Sequence, residues 1–138
     1  MKARLLRVIL DTNIIVSAVL TRDGLESGIL RLALNREIEL YLSWPILNEY
    51  MEVLARPKFG LGAIIQQQII EGIKSAGTLV VPQGSLMICS DPADNIFLEC
   101  AETARANYLV TGNKRHFPVA WKSCRIVSSR DFLASISI

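Results

Sequence analysis

The chain has 138 residues, enough for one domain with a real core, and its net charge of +2 is too small to identify a nucleic-acid binder by itself. With 51% hydrophobic and 20% charged residues it is neither a disordered segment nor a solvated linker, and it contains no internal repeat, so a single domain over 1–138 is expected. Mean hydropathy is positive, yet no apolar run approaches the roughly 20 residues that span a bilayer, and Asp11 interrupts the run behind Lys2, Arg4 and Arg7, which argues against a secretory signal.

Residues 5–10 are branched and apolar apart from Arg7 and read as a buried strand. The strand ends at Asp11. Thr12 and Asn13 follow before a new apolar run, 14–20, which predicts a short helix. In an open α/β sheet such an elbow lies at the carboxyl edge, where ligands bind. A charged carboxylate there needs a cation or several donors. Asp11 or Asn13 could equally cap the helix. Arg22, Asp23 and Gly24 break the pattern, and 25–34 is a second helix with Asn35 as its C-terminal cap. Residues 37–42 alternate as a second strand. Ser43 then caps a helix over 44–55, with Pro45 in its first turn. Leu47, Tyr50, Met51 and Leu54 form its expected apolar stripe. Glu52 falls on the polar face, within reach of Arg56. Glu49 instead has Ile46 and Val53 as neighbours, a mostly apolar setting for a carboxylate, unless it snorkels or accepts from nearby amides.

Residues 61–76 form a long helical segment with Ile65, Ile69, Ile73 and Ala76 on one stripe and Gly77 as its stop. Ile64 and Ile70 add apolar surface beyond it. A short strand over 78–81 and a loop over 82–90 follow. The next helix opens with Asp91 as N-cap, Pro92 at the first position and Asp94 at the third. Asp94 heads the stripe of Phe97, Leu98 and Ala101, whereas Glu99 and Glu102 lie outside, Glu102 within reach of Arg105. A fourth strand over 107–111 leads into the elbow 112–118. A fifth, over 123–127, precedes a last helix, 130–136, capped by Ser128 or Ser129. Cys89, Cys100 and Cys124 lack paired zinc spacing and read as reduced structural thiols of a cytosolic protein.

Alternating strands and helices predict a three-layer α/β/α sandwich around a central, mainly parallel five-stranded sheet. Right-handed crossovers put Asp11, Glu49, Asp94 and Asn113 on one edge of that sheet. Three carboxylates in proximity repel unless a cation lies between them. All-oxygen ligands suit Mg²⁺ or Mn²⁺, and such ions are shared with substrate phosphates, so phosphodiester hydrolysis is the natural chemistry.

The segments LDTNIIVSA, SWPILNEYMEVLARPKF, SDPADNIFLECA, YLVTGNKRHF and RDFL, in this order, resemble the PIN-domain ribonucleases found as VapC-like toxins of bacterial and archaeal toxin–antitoxin pairs. The resemblance runs nearly end to end. It implies a cytoplasmic, Mg²⁺-dependent endoribonuclease that leaves a 3′-hydroxyl and a 5′-phosphate. It also implies an RNA substrate, an antitoxin carried on a separate chain, and homodimers. Asp11, Glu49 and Asp94 match three of the family's metal-site acids. The fourth place is Asn113, and a second frequent Asp is here Arg115. Asn113 offers a carbonyl oxygen but no charge. On this pattern Asp11 and Asp94 hold the ion, Glu49 ligates it or positions water, and Asn113 and Asp91 complete the shell. Thr12, Asn13, Ser17 and Thr111 are placed to hydrogen-bond the acids or substrate, or simply to cap helix and turn. Lys114, Arg115 and His116 can meet RNA phosphates, or form an ordinary solvated turn. Asn113 also keeps open a binding module with a weakened or inactive metal site. A haloacid-dehalogenase phosphatase would need a second Asp where Asn13 stands, and a dinucleotide-binding domain would need a glycine-rich elbow after strand one.

Overall fold

The structure, a computed structural model, describes residues 5–84 and 92–136. Six strands among these residues form one sheet: β1 (Arg7–Leu10), β2 (Glu39–Leu42), β3 (Thr78–Leu79), β4 (Tyr108–Val110), β5 (Ala120–Trp121) and β6 (Cys124–Val127). Their order is β3-β2-β1-β4-β6-β5, and all pairings are parallel except β5 with β6. Among the described residues six α-helices cover it in a three-layer arrangement: α1 (Thr12–Leu20), α2 (Leu25–Leu34), α3 (Trp44–Leu54), α4 (Ala63–Ala76), α5 (Pro92–Ala104) and α6 (Ser129–Ile136). Among the described residues no helix is long and apolar enough to cross a membrane.

The layered, mainly parallel fold is as the sequence predicts; the strand count is not. The sixth strand, β5, is two residues long and turns back on β6, with Trp121 opposite Cys124 and Lys122 left-handed at φ 55°. So short a strand shows no alternation, and Lys122–Ser123 lacks the Asn-Gly or Asp-Gly signature of a tight hairpin.

The central strands are buried on both faces, as parallel strands between helices must be, and Val8, Ile9, Leu10, Leu109 and Val110 are wholly enclosed. Register sets the edge. Leu10 pairs with Val110, and Val110 with Val127, so Asp11, Thr111 and Ser128 emerge side by side where these strands end. Cys100 and Cys124 are buried, and desolvation pushes both thiols up to about 12, which suits structural rather than reactive cysteines. Cys89, Asp91 and most of the 82–90 loop lie outside the described residues.

Two helix faces differ from the periodicity reading. In α3 the buried row is Ile46, Leu47, Tyr50 and Leu54, whereas Met51 is 42% exposed. Positions 46, 50 and 54 form a continuous i, i+4 ridge, and that ridge faces the core. Ser43 caps the helix as expected, its Oγ accepting from Ile46 N at 3.4 Å. In α4 the buried residues are Ile70 and Ile73, while Ile64 and Ile65 are 72% and 47% exposed. Only the C-terminal half of α4 is anchored. There a Cβ on Gly77 would lie 2.5 Å from Leu42 Cδ1 and 3.1 Å from Ile73 O, so this turn into β3 needs glycine for its close approach.

Neither of the two expected helix ion pairs is present among the described residues. Arg56 has left the helix in extended conformation, at φ −64° and ψ 131°, so it no longer stands one turn from Glu52. Arg105 is left-handed at φ 52°, beyond α5, and Glu102 pairs instead with Lys122 at 3.5 Å.

The phenol of Tyr50 ties α3 to the sheet by donating to Leu10 O, and burial pushes its pKa well above the ordinary value of 10.0. Tyr50→Phe keeps the packing and removes the donor. It is expected to cost about 1–3 kcal/mol, read as a lower urea midpoint at unchanged m value.

A candidate acidic metal centre

Asp11 is the first residue past β1. Its amide donates to Val110 O at 2.9 Å, which continues the β1–β4 pairing by one residue and holds the side chain at the edge. It also caps α1, so the cap and the site are one residue. Oδ1 accepts from Thr12 N at 2.8 Å, and Oδ2 accepts from Thr111 Oγ1 at 2.7 Å and Asn13 Nδ2 at 3.2 Å. The residue is 6% exposed. Burial raises its pKa above 3.8, and the bonds from Thr111, Thr12 and Asn13, with the nearby His116, only partly oppose this.

The other acids reach the same groove, a cleft of about 430 Å³ lined by Asp11, Glu49 and Asp94. Glu49 projects from the second turn of α3, half-buried, and accepts from Thr12 Oγ1. Asp94 lies in the first turn of α5 with its side chain 14% exposed, and its Oδ2 is 3.4 Å from His116 Nδ1. His116 therefore stands over an acid of the cluster, not only on an outer basic turn. Thr12, Asn13, Ser17 and Asn113 complete the polar lining.

The β4 elbow is tied to the β1 elbow by side chains. Thr111 Oγ1, while donating to Asp11, accepts from Asn113 N at 2.9 Å. Asn13 Oδ1 accepts from Gly112 N at 3.0 Å. Asn113 thus stands at the rim with its backbone fixed and its side chain exposed. Lys114 reaches toward α6, with Nζ 4.0 Å from Asp131 Oδ2 in a well-exposed pair. Asp91 lies outside the described residues.

Periodicity missed Arg56 and Phe59, which line the groove from the turn after α3. The Arg-Pro dipeptide was the available signal, because the residue before proline is biased out of the helix. Tyr50 lies in the core, as its stripe predicts, and its hydroxyl also fixes the end of β1 immediately before Asp11.

The donor chemistry of the groove fits a hard divalent cation. Three carboxylates converge with hydroxyl and amide oxygens, and the innermost is desolvated and short of positive charge. The acids share a cleft rather than a closed cage. Among the described residues no three acidic, imidazole or thiol groups already stand at ligating spacing.

The groove's acids thus come from the end of β1, from α3 and from α5, at the carboxyl edge of a mainly parallel sheet. The chain belongs to the PIN-domain family, whose sequence model, described as PIN domain, matches residues 7–115. An uncharacterised protein of Methanocaldococcus jannaschii is 28% identical over 112 residues, which cover 79% of this chain and 72% of that protein. A chain in the crystal structure of VapBC2 from Rickettsia felis, bound to a DNA fragment from their promoter, has the same fold. Its TM-score is 0.58 at 17% identity, with 89% of this chain and 98% of that one covered.

Because burial raises the Asp11 pKa, the metal-free folded state holds this proton more tightly than the unfolded chain. The contribution is present in full below 3.8 and is lost as pH rises through the elevated value. Wild type is therefore expected to lose stability relative to Asp11→Asn across that acidic window, as urea midpoints at successive pH values would show. Thr111→Val removes both the donor to Asp11 and the acceptor of Asn113 N, and is expected to cost about 1–3 kcal/mol in the same measurement.

Proposed function

We propose that this chain is a cytoplasmic, Mg²⁺- or Mn²⁺-dependent endoribonuclease, the toxin of a toxin–antitoxin pair, whose active site is the Asp11–Glu49–Asp94 groove. The observation that carries this reading is the convergence of three carboxylates, from three separate elements, on one cleft. PIN domains are in general nucleases, and the fold neighbour from Rickettsia felis is part of a VapBC complex.

Asp11 and Asp94 would hold the cation, with Glu49 in its shell or beside it and Asn113 and Asp91 further out. The chemistry such an ion supplies is activation of water and neutralisation of charge on the phosphoryl group. The chain does the rest. Thr12 N, Thr111 Oγ1 and Asn13 Nδ2 hold both oxygens of Asp11 in place before substrate arrives. Thr12 Oγ1 orients Glu49 toward the position of an attacking water. Arg56 at the mouth, and Lys114 and Arg115 beyond His116, attract the strand through its phosphates. Hydrolysis breaks the bond from phosphorus to the 3′-oxygen; water supplies the new oxygen on the 5′-phosphate and the proton on the 3′-hydroxyl.

The partners proposed with this activity are RNA, an antitoxin on a separate chain and a second copy of this chain. Exposed Ile64, Ile65 and Met51 supply apolar area on α3 and α4 for a two-fold contact. Sedimentation at tens of micromolar, roughly the range in which ordinary dimers persist, is expected to show a dimer, and a monomer there would remove this element.

Asn113 favours a second reading, a PIN domain that holds RNA or protein without cutting it, since a neutral amide stands where the family usually has an acid. Incubation of single-stranded RNA with wild type and Asp11→Asn, with Mg²⁺, Mn²⁺ or a chelator, separates the two. Metal-dependent cleavage lost in Asp11→Asn is the expected result. RNA binding without cleavage under any metal supports the second reading instead. Asn113→Asp is expected to tighten Mg²⁺ binding roughly tenfold, since it adds a charge at the rim of the cleft, while destabilising the metal-free protein. Calorimetric titration together with thermal melts reads both effects.

A further inference from the structure

A second, larger cavity of about 700 Å³ adjoins the acid groove, and the two share Asn113 and His116 in their walls. Lys114, Arg115 and Arg130 line it, with Glu26 as the acid among its lining residues. The floor is the N-terminus of α6. Ser128 Oγ accepts from Asp131 N at 3.1 Å and Ser128 O from Phe132 N at 2.9 Å. The amides of Ser129 and Arg130 belong to the first turn and have no carbonyl one turn earlier to receive them. Ser129 is itself only 6% exposed, yet it forms part of the cavity wall, and its hydroxyl has no hydrogen-bond partner among the described residues. The hydroxyl of a nearly enclosed serine, two first-turn amides and an arginine on the wall of one cavity are an anion site by chemistry. None of them contributes to the acid groove.

We propose that this cavity is a second phosphate subsite, in which Ser129, Arg130 and the first-turn amides of α6 grip a phosphodiester of the RNA strand flanking the bond to be cut. The inference rests on the ribonuclease reading and extends it to substrate grip. Glu26 repels a phosphate, so the anion sits against α6, away from that carboxylate. Lys114 is partly engaged by Asp131, which leaves Arg115 and Arg130 as the freer cations of the wall. A strand leaving the acid groove past Asn113 and His116 enters this cavity directly. The acids then choose the bond and the α6 site sets the register.

The test measures steady-state cleavage of a short single-stranded RNA by wild type, Ser129→Ala, Arg130→Ala and Arg130→Lys, with thermal midpoints to verify folding. Arg130→Ala is expected to raise KM roughly tenfold with kcat nearly retained, Ser129→Ala to raise it several-fold, and Arg130→Lys to restore most of the loss. The dependence of log affinity on log salt, measured in the Asp11→Asn background, is expected to become shallower by about 0.7 in Arg130→Ala, as for one lost phosphate contact. Unchanged KM and salt slope in both alanine variants, with wild type cutting RNA, would overturn the subsite and leave the ribonuclease reading intact. Should the variants fail to fold, the same RNA carrying one methylphosphonate at successive positions replaces them: a single uncharged linkage outside the cleaved bond must raise KM, and its failure at every position overturns the subsite. A wild-type protein that cleaves no RNA under any metal defeats the ribonuclease reading and the subsite together.

Discussion

The organisation of this molecule depends on keeping a carboxylate, Asp11, at the buried end of a central strand. Desolvation penalises its charge. The fold offsets that penalty with donors from two directions, the amide of Thr12 in α1 on one side and the hydroxyl of Thr111, just past β4, on the other. Neither would be in place without the register that sets Leu10 beside Val110. Sheet pairing and site geometry are therefore one constraint, and the remaining acids need only be brought to an edge that already exists.

Glu49 and Asp94 come from α3 and α5, and each is positioned by a local helix start. The Ser43 cap and Pro45 fix where α3 begins, and hence which of its carboxylates, Glu49 or Glu52, turns inward. The two acids stand three positions apart, about 60° around the helix axis and nearly one turn along it. Glu52 is exposed; Glu49 is half-buried and bonded to Thr12. Which acid enters the groove rests on angular phase more than on residue type.

That phase was legible in the sequence because strand–elbow–helix boundaries carry strong local signals: an abrupt change from branched apolar to polar at Asp11, a serine cap at Ser43, an acid heading an apolar stripe at Asp94. The fold and the groove's three acids were readable on that basis. Other features obey rules that single-residue periodicity does not contain. The strand β5 is held by pairing with β6 rather than by its own pattern. Met51 and Ile46 exchange places because a ridge, not a stripe of hydrophobic letters, meets the sheet. Arg56 enters the groove because backbone geometry ahead of Pro57 ended the helix, and no count of i, i+4 partners shows where a non-helical residue points. The role of Tyr50 was hidden for another reason. A buried tyrosine reads as core, and its hydroxyl's partner, a backbone carbonyl, has no sequence signature.

The amide of Gly112 has an unusual partner. It is not satisfied by a neighbouring strand or a helix, but by the side chain of Asn13, which holds Asp11 with its other end. One planar carboxamide therefore spans two elbows. Any ligand that draws the Asp11 carboxylate outward must also turn this carboxamide and loosen the Gly112 amide. The hydrogen-exchange rate of a single backbone N–H thus becomes a built-in gauge of the occupancy of a site it does not touch.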